Sequence, residues 1–536
     1  MVVGVLPVVV LSGGFALAFL ITLLYNAVKV KIATERFKRQ SNGLPLVKEG
    51  FSLFAGGHIF YLLFSRHLPE KLYKIQEQYG KTVGWMYGET YGVLTIDLDL
   101  IKKVVLDEPD KNVNRIRINL PIKELDENCI MEAKDDQWRR IRKVYAPALT
   151  KQKFKSPNVV REIENSIQKL IAGIEKRLDF ALDLEKEKKP LADVNMENLM
   201  HRYSLDIVYS CFYKQYNLIN FGLGKDHHTE LIDSGLEAVI YDPLVRYGTV
   251  YSFIRPLLDW LIMNFHPQGK WRKEVMGFIQ AQTKQNFEAK KKLAQLRALA
   301  REKSTNNEKV DEDNILLDDG TKFNRNLMDY ITDKFHEGKL MKTEYFHTTF
   351  FLLNAADKTA ADALATIFYY LSVDNEIQEK TRKAVLAEGV ESEYLGWIVN
   401  EALRLCPPAP IGCSRLTSCD TEVTKGGYVV PKDTFVVTPL YTIHRWPEYW
   451  GNDAEEFKPE RWSKAKSFHP CQFMPFGAGI RACPGKEFAL FQMKMVICAL
   501  LARYKFVSQK KLCSFNSPLL IYLLNDEPTY IQIARL

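Results

Sequence analysis

The chain lacks paired cysteine motifs, although it contains nine cysteines among its 536 residues. No two of them form a Cys-x-x-Cys pair, and their spacings do not match a structural zinc site. The odd number also argues against a framework in which every cysteine is paired in a disulfide. We therefore expect a reducing, cytosolic environment for most of the chain, with most cysteines acting as small buried apolar residues.

Phosphate-binding motifs are also missing. The sequence has neither a Gly-x-Gly-x-x-Gly turn after a predicted strand nor a Walker-type loop. This absence excludes the usual nicotinamide, flavin and nucleotide sites. A redox reaction would therefore need electrons from another protein.

The composition shows no strong bias. Hydrophobic residues make up 46% and charged residues 26% of the chain, which is ordinary for a globular protein with an ample core. The length would suffice for several average domains or for one large helix-rich domain behind a short anchor. The formal net charge of +8 only weakly indicates an acidic partner or an anionic lipid surface, because several charges cluster beside the first apolar segment.

Charged side chains are absent from Val2 to Val28. A helix from Pro7 to Val28 would span roughly 33 Å, against a hydrocarbon core of about 30 Å. Five basic residues follow and only Glu35 opposes them, a bias that keeps the downstream chain on the cytosolic side. The five are Lys29, Lys31, Arg36, Lys38 and Arg39.

A cleaved signal peptide is the alternative interpretation of this first segment, with Ala16-Leu17-Ala18 as its cleavage site. Apolar residues continue through Leu24, however, and no basic stretch precedes them, which favours an uncleaved anchor. The sequence therefore predicts a transmembrane signal anchor at 1–28, a basic linker at 29–50 and a folded catalytic domain at 51–536.

The hydrophobic periodicity predicts mainly helices. Residues 82–97 alternate in polarity around two glycines and predict a β-hairpin, and residues 98–380 are mostly of helical period. Beyond Leu405 the chain turns to short strands punctuated by proline and glycine, before a helix predicted from Pro484 to Tyr504. We expect a mainly α fold with small β-sheets, of the α+β class.

The most specific motif is the run from Phe476 to Gly485, Phe-Gly-Ala-Gly-Ile-Arg-Ala-Cys-Pro-Gly. Its glycines let the backbone approach a flat cofactor, and Cys483 precedes a helix whose amino-terminal dipole favours a thiolate. Arg481 can face a carboxylate of that cofactor. A lone cysteine in a glycine turn is more often structural, but the full ten-residue pattern outweighs that prior.

This run resembles the haem-binding loop of the cytochrome P450 family in every fixed position: Phe476, Gly477, Gly479, Arg481, Cys483 and Gly485. The resemblance implies the cytochrome P450 fold and a haem b cofactor. It makes Cys483 the proximal iron ligand and places Phe476 near its sulfur. A thiolate ligand pushes electron density into the iron and favours O–O cleavage.

Three further elements occur in the order typical of that family. Glu401 and Arg404 lie three residues apart on one helix face, and with Arg461 they resemble the family's structural Glu-Arg-Arg triad. Trp138 and Arg142 fit the Trp-x-x-x-Arg helix that contacts a haem propionate. Arg415 lies on a predicted strand where family members often have another propionate contact.

The distal helix departs from the family pattern, which is Ala/Gly-Gly-x-Asp/Glu-Thr. The corresponding residues here are Ala355-Ala356-Asp357-Lys358-Thr359. Thr359 is in place, and its hydroxyl is assigned to catalytic proton transfer. Lys358 occupies the position of the acid, and Asp357 comes one residue early. We assign Asp357 as a second catalytic candidate, although it lies about 100° around the helix from the position of the usual acid.

The resemblance implies a haem-thiolate monooxygenase that inserts one oxygen atom from O2 into a sterol, a fatty acid or a xenobiotic. Two alternatives remain open: an isomerase that rearranges a peroxide without O2, and a haem-binding sensor or carrier without turnover. The implied partners are the bilayer, NADPH-cytochrome P450 reductase and, as a further donor, cytochrome b5. No nucleic-acid partner is expected.

The implied location is the endoplasmic reticulum membrane, with a single span and a cytosolic catalytic domain. By resemblance, substrate contacts come from four places that carry mostly apolar side chains, which favours a lipophilic substrate. They are the loop from Asn119 to Asn128, the distal helix near Phe351 and Asn354, the strand from Ala409 to Gly412, and the turn from Pro518 to Leu520.

Overall fold

The structure of the protein is a computed structural model that describes the greater part of the chain. The described residues are 5–53, 57–58, 61, 65, 67–87, 90–115, 128–184, 192–214, 218–221, 260–261, 264–266, 269–270, 273–285, 287–288, 291, 327–412, 414–423, 427–508, 515–516, 524–525 and 529–536.

Helices dominate the described structure. In chain order they are α1 (Val5–Gln40), α2 (Leu68–Tyr79), α3 (Leu98–Lys102), α4 (Asp135–Tyr145), α5 (Lys151–Phe154), α6 (Pro157–Leu184), α7 (Met196–Tyr213), α8 (Leu327–His336), α9 (Lys342–Val373), α10 (Asn375–Glu388), α11 (Glu393–Leu405), α12 (Leu440–Ile443), α13 (Pro447–Trp450) and α14 (Lys486–Leu501). Tighter or wider helical turns lie at Lys103–Asp107, Ala146–Leu149, Gly389–Glu391, Pro459–Ser467 and Gly479–Arg481.

The strands are short and form small sheets. They are β1 (Thr82–Tyr87), β2 (Thr90–Thr95), β3 (Ala192–Asn195), β4 (Arg415–Leu416), β5 (Thr421–Glu422), β6 (Val429–Val430), β7 (Phe435–Val437), β8 (Tyr504–Val507), β9 (Phe515–Asn516), β10 (Leu524–Asn525) and β11 (Tyr530–Arg535). One sheet has the order β1-β2-β7-β4, a second has the order β3-β11-β8, and two strand pairs complete the set. The expected mainly α architecture with small β-sheets is confirmed.

The first sheet carries the predicted hairpin. Strands β1 and β2 pair antiparallel, with Trp85 opposite Gly92, as the alternation in residues 82–97 predicts. Strand β2 then pairs in parallel with β7, and β7 pairs antiparallel with β4, where Val436 lies opposite Arg415. The register thus fixes the place of an arginine on a strand that is only two residues long.

Helix α9 is the longest helix in the helical core. It runs along α7 and also contacts α10, α11, α14 and β8. Buried residues occur all along it, as is typical of a helix enclosed by other elements. The next two helices begin at side-chain caps: Asp374 accepts a hydrogen bond from the Ile377 backbone N–H at 2.9 Å, and Ser392 caps α11 in the same way.

The first helix is part of the folded domain at its carboxyl end. Helix α1 continues through residues 29–40, where a linker is expected, and it buries Val30, Ala33 and Phe37. The Phe37 ring lies 5.4 Å from the Tyr91 ring on β2. A Cβ added to Gly84 would come within 2.5 Å of Phe37 Cε1, so this glycine allows the close approach. The apolar stripe at helical spacing among the charges of this segment explains why it packs on the sheet.

Among the described residues, no helix combines the length and the apolar character needed to cross a bilayer. The transmembrane anchor at 1–28 stays a prediction.

Replacing Phe37 by alanine should lower the free energy of unfolding by about 3–5 kcal/mol, because the ring is fully buried between α1 and the first sheet. Urea denaturation of the purified full chain measures this change. Tyr25→Ala is the matched control on the same helix: its side chain is 58% exposed, and the expected change is within about 0.5 kcal/mol. Equal effects of the two substitutions would contradict the packing of α1 on the sheet.

Candidate functional site

The site is built around the loop from Phe476 to Gly485. Gly477 and Gly479 have φ angles of 71° and 67°, in the left-handed region that favours glycine. A Cβ on Gly479 would lie 2.3 Å from the Val105 carbonyl oxygen, so this position also has no room for a side chain. The loop is closed by a hydrogen bond of 2.8 Å from the Cys483 backbone N–H to the Phe476 carbonyl. These features hold the cysteine just before α14, as the motif predicts.

Opposing influences act on the pKa of the Cys483 thiol. Its side chain is solvent-accessible, yet the surrounding protein desolvates the thiol enough to raise its pKa. The backbone N–H of Gly485 and the charges of Arg142 and Arg115 act in the opposite direction and favour the thiolate. A bound metal cation would complete this stabilisation, because a coordinating thiol loses its proton.

Arg481 lies behind the thiol with its guanidinium enclosed. Its three nitrogens donate hydrogen bonds to backbone carbonyls, those of Val113, Ile130 and Ala133, at 2.9, 3.2 and 2.6 Å. The guanidinium carbon also lies 4.3 Å from the centre of the Trp138 ring, so the predicted site residue Trp138 contacts Arg481 through a cation–π interaction. Burial, followed by the positive charges of Arg115 and Arg415, lowers the pKa of Arg481 to about 8.

Two more predicted arginines join this cluster. Arg142 projects from α4, and burial together with the charge of Arg115 lowers its pKa, while Cys483 acts to raise it. Arg415 is 1% exposed and donates to the Ser414 and Ala478 carbonyls at 2.8 and 3.0 Å. The structure therefore brings together Arg142, Arg415 and the loop that carries Arg481 and Cys483, from three separate parts of the chain.

Arg115 belongs to the same cluster, although the sequence analysis does not identify it. Its Nη2 atom lies 3.4 Å from the Arg481 carbonyl, and its Nε atom is buried without a hydrogen-bond partner in the described part of the chain. Its position is fixed by pairing between distant segments, since the Leu416 backbone N–H donates to the Asn114 carbonyl at 2.8 Å. In the sequence this arginine belongs to no motif of the family pattern, so local spacing does not mark it.

The donor set fits a flat, anionic cofactor with a central metal. The charges of Arg115, Arg142 and Arg415 act on Arg481 and are opposed by Glu132, and the charges of Arg142 and Arg115 also act on the Cys483 thiol. Like charges at this density need an anion, and carboxylates of a bound haem would supply it. The residues therefore fit haem, with Cys483 towards the iron and the arginines towards the carboxylates.

The predicted triad lies beneath this loop and is fully formed. Arg404 donates two hydrogen bonds of 2.9 Å to Glu401, one to each carboxylate oxygen, and Arg461 donates one of 2.8 Å. The Trp462 indole and the Lys458 backbone N–H also donate to Glu401, at 3.0 and 2.9 Å. The Glu401 and Arg404 side chains are completely buried. One carboxylate thus holds α11 against the segment that leads to the cysteine loop.

Thr359 lies on α9, the helix that corresponds to the distal helix of the family pattern. Its hydroxyl donates to the Ala355 carbonyl at 2.7 Å, which leaves the hydroxyl oxygen to accept a hydrogen bond. Asp357 points elsewhere: its carboxylate makes a short hydrogen bond with His201 Nε2 on α7, and its carbonyl accepts from Ser204 Oγ at 2.9 Å. Positions 357 and 359 lie about 160° apart on a helix. Asp357 is therefore turned away from Thr359 on α9, and its catalytic role stays a prediction.

The positions expected to contact substrate are described only in part. Residues 119–127 of the expected loop and 518–520 of the expected turn lie outside the described residues. Asn354 is buried and donates to the Phe350 carbonyl at 2.8 Å, on the side of α9 away from Thr359. Gly412 approaches Leu440 closely, since a Cβ there would come within 2.4 Å of its side chain.

Comparison with known proteins agrees with this geometry over nearly the whole chain. A family model described as Cytochrome P450 matches residues 49–533. Cytochrome P450 3A9 of Rattus norvegicus is 26% identical over 483 residues, which cover 84% of this chain and 86% of the relative. Cytochrome P450 3A40 of Oryzias latipes is 29% identical over 448 residues, which cover 80% of each chain. Cytochrome P450 3A13 of Mus musculus is 26% identical over 478 residues, with 84% and 86% covered.

Replacing Glu401 by alanine should lower the free energy of unfolding by about 3–5 kcal/mol, because the buried Arg404 would lose its carboxylate partner. Urea denaturation followed by circular dichroism measures this loss. Glu448→Ala removes an exposed acid that is paired with Lys81 at 2.6 Å, and it should cost about 1 kcal/mol or less. A Glu401 variant as stable as the Glu448 variant would contradict the structural role of the triad.

Replacing Arg115 by leucine should weaken haem retention about tenfold or more, since a charge-assisted hydrogen bond contributes about 1.5–3 kcal/mol. The rate of haem transfer to an excess of apomyoglobin measures retention. Arg139→Leu, on α4 but 42% exposed and paired with Asp136, is the control and should retain haem normally. Equal haem loss from both variants would remove Arg115 from the cofactor site.

Proposed function

The chain belongs to the cytochrome P450 family of haem-thiolate monooxygenases, and we propose that it inserts one oxygen atom of O2 into a lipophilic substrate with electrons from NADPH. A separate flavoprotein, NADPH-cytochrome P450 reductase, would deliver the electrons, with cytochrome b5 as a further donor. The observation that carries the proposal is the joint presence of the Cys483 loop, the arginine cluster and Thr359 on α9.

The proposed function assigns two roles to the protein's own residues, cofactor binding and proton transfer. Cys483 would bind the iron, and Arg115, Arg142, Arg415 and Arg481 would neutralise the cofactor's carboxylates. When bound, the haem supplies the activation of dioxygen by two electrons. Thr359 would hold a proton at its hydroxyl beside the reacting oxygen, which favours oxygen insertion over release of reduced oxygen.

The substrate is proposed to be apolar, as a sterol, a fatty acid or a xenobiotic is. Apolar side chains surround the described part of the distal helix, and Phe351 and Ala356 pack against the main hydrophobic core. Such a lining removes water from a substrate and favours ligands without charge. The names of the relatives give no substrate, so this class rests on the side chains alone.

Membrane attachment is proposed through α1 at the endoplasmic reticulum, with the catalytic domain on the cytosolic side. Large apolar side chains on this helix are exposed by more than half, which is unusual for a surface in water. They are Leu20, Ile21, Leu24, Tyr25, Val28 and Ile32. Because α1 continues into the packed segment that ends at Gln40, the bilayer would hold the catalytic domain in a defined orientation.

Reconstitution tests this function. The haem-loaded protein, mixed with NADPH-cytochrome P450 reductase, NADPH and O2, should oxidise members of a panel of fatty acids, sterols and apolar xenobiotics. One atom of 18O from labelled O2 should appear in the product. The reduced Cys483→Ala variant should lose the red-shifted carbon monoxide band and all turnover, because the iron would lack its thiolate.

Two results would contradict the proposal. Conversion that persists without reductase or O2, but requires a hydroperoxide, would indicate rearrangement of a peroxide instead. Retention of the thiolate band by Cys483→Ala would mean that another residue holds the iron.

A further inference from the structure

A lysine and an aspartate form an ion pair next to Thr359, and the lysine occupies the position directly before the threonine where the family pattern has an acid. Lys358, where the family pattern has an acid, places its Nζ atom 2.8 Å from Asp362 Oδ1, one helical turn further along α9. The side chains are only 17% and 12% exposed. The base therefore precedes the threonine and an acid follows it.

The second carboxylate oxygen of Asp362 is unsatisfied. Oδ2 is buried and has no hydrogen-bond partner among the residues that the structure describes. A buried oxygen without a partner is costly on an ionised carboxylate, and a proton on that oxygen relieves the cost. Burial accordingly raises the pKa of Asp362 from 3.8 to about 6, although Lys358 acts to lower it.

Two further charged groups that act on the pKa of Asp362 come from α7. Glu197 acts to raise its pKa and His201 acts to lower it. These two residues are four apart and so lie on one face of α7. His201 is buried, whereas Glu197 is half-buried near the start of the helix and accepts a hydrogen bond from Thr529 Oγ1 at 3.0 Å. Glu197, His201 and Asp362 thus form a series of titratable groups that begins at a partly exposed residue of α7 and ends at a mostly buried residue of α9.

Asp362 is also well placed with respect to Thr359. Residues three apart on a helix are neighbours on its surface, whereas Asp357 lies on the far side and is held by His201. The Thr359 hydroxyl donates to the Ala355 carbonyl and can accept a further hydrogen bond. An acid at position 362 can therefore serve this threonine where an acid at position 357 cannot.

We propose that Asp362 is a positioning residue of the monooxygenase reaction: it holds a proton beside Thr359, with Lys358 as the counter-charge of the carboxylate left behind. The inference rests on the proposed function and extends it. In the transfer, the Asp362 side chain turns towards Thr359, its O–H bond breaks as the Thr359 oxygen takes that proton, and the threonine O–H bond breaks as its own proton passes to the oxygen being reduced. A solvent proton that enters beside Glu197 restores Asp362, so one proton moves and no electrons are needed beyond those from NADPH.

Infrared spectroscopy of the resting, haem-loaded protein tests the proton on Asp362 without turnover. A carbonyl stretch from a protonated carboxyl should be present at low pH and disappear with a midpoint near pH 6, because the carboxyl ionises above its pKa. This component should be missing in Asp362→Asn. It should persist in Asp206→Asn, a matched control that removes another buried aspartate, paired with Lys169 at 3.0 Å on the α6 side of α7.

Turnover with reductase tests the role of that proton. Product formed per NADPH in the wild type should fall as the pH rises through about 6, because the protonated form is lost. Asp362→Asn should lower coupling about tenfold or more, show no such pH dependence and have a larger solvent isotope effect. Asp362→Glu should restore the pH dependence, with a shifted midpoint. The Asp206→Asn control should keep the wild-type profile.

The outcomes separate this inference from the proposed function. If the wild type turns over and Asp362→Asn has the same coupling and the same pH profile as the wild type, the role of Asp362 is overturned but the proposed function is not. Persistence of the infrared component in Asp362→Asn would do the same. A wild type that never consumes O2 with reductase would overturn both.

Discussion

Repulsion among the arginines beside Cys483 is the constraint on which the site depends. Arg115, Arg142, Arg415 and Arg481 come from separate segments, and burial together with repulsion from neighbouring arginines lowers the pKa of Arg481 and of Arg142. Burial meanwhile raises the pKa of the Cys483 thiol, so the thiolate is also unfavourable without a partner. A flat cofactor with carboxylates and a metal cation would satisfy both needs at once, because the arginines would hold its carboxylates and Cys483 would hold its metal. We therefore expect cofactor binding and folding of this region to be coupled.

Glu401 provides the frame that allows such a cluster to persist. Its carboxylate receives hydrogen bonds from Arg404 and Arg461, so the two arginines lie side by side without an unpaired charge. Arg404 further donates to the His444 and Ala454 carbonyls at 2.7 and 2.6 Å. The helix that carries Glu401 and Arg404 leads along the chain to Arg415 on β4, and the segment that carries Arg461 leads to the Cys483 loop. A carboxylate with no role in the chemistry thus sets the positions of both cofactor-binding segments.

The sequence is informative where a structure depends on neighbouring residues and silent where it depends on distant ones. The hairpin of β1 and β2, the helix with Glu401 and Arg404, and the turn before Cys483 follow from local spacing, and all three are present. Arg115 contacts Arg481 across 366 positions, and no local pattern marks that contact. The apolar stripe that includes Phe37 is compatible with a packed helix. The charges around it and the glycines that follow it nevertheless favour a linker, so the sequence did not predict this packing.

On the distal helix, the helical period decides which acidic residue can lie near Thr359. An acid two residues before Thr359 is turned about 160° away, whereas one three residues after it is turned only about 60°. Asp357 is therefore available to α7 and binds His201, and Asp362 remains near the threonine. A buried ion pair such as Lys358 with Asp362 adds little net stability, because the cost of desolvating both charges offsets their attraction, and apolar residues would serve packing as well. The position of the pair beside Thr359 agrees with the proposed proton on Asp362, and the stability of α9 does not require it.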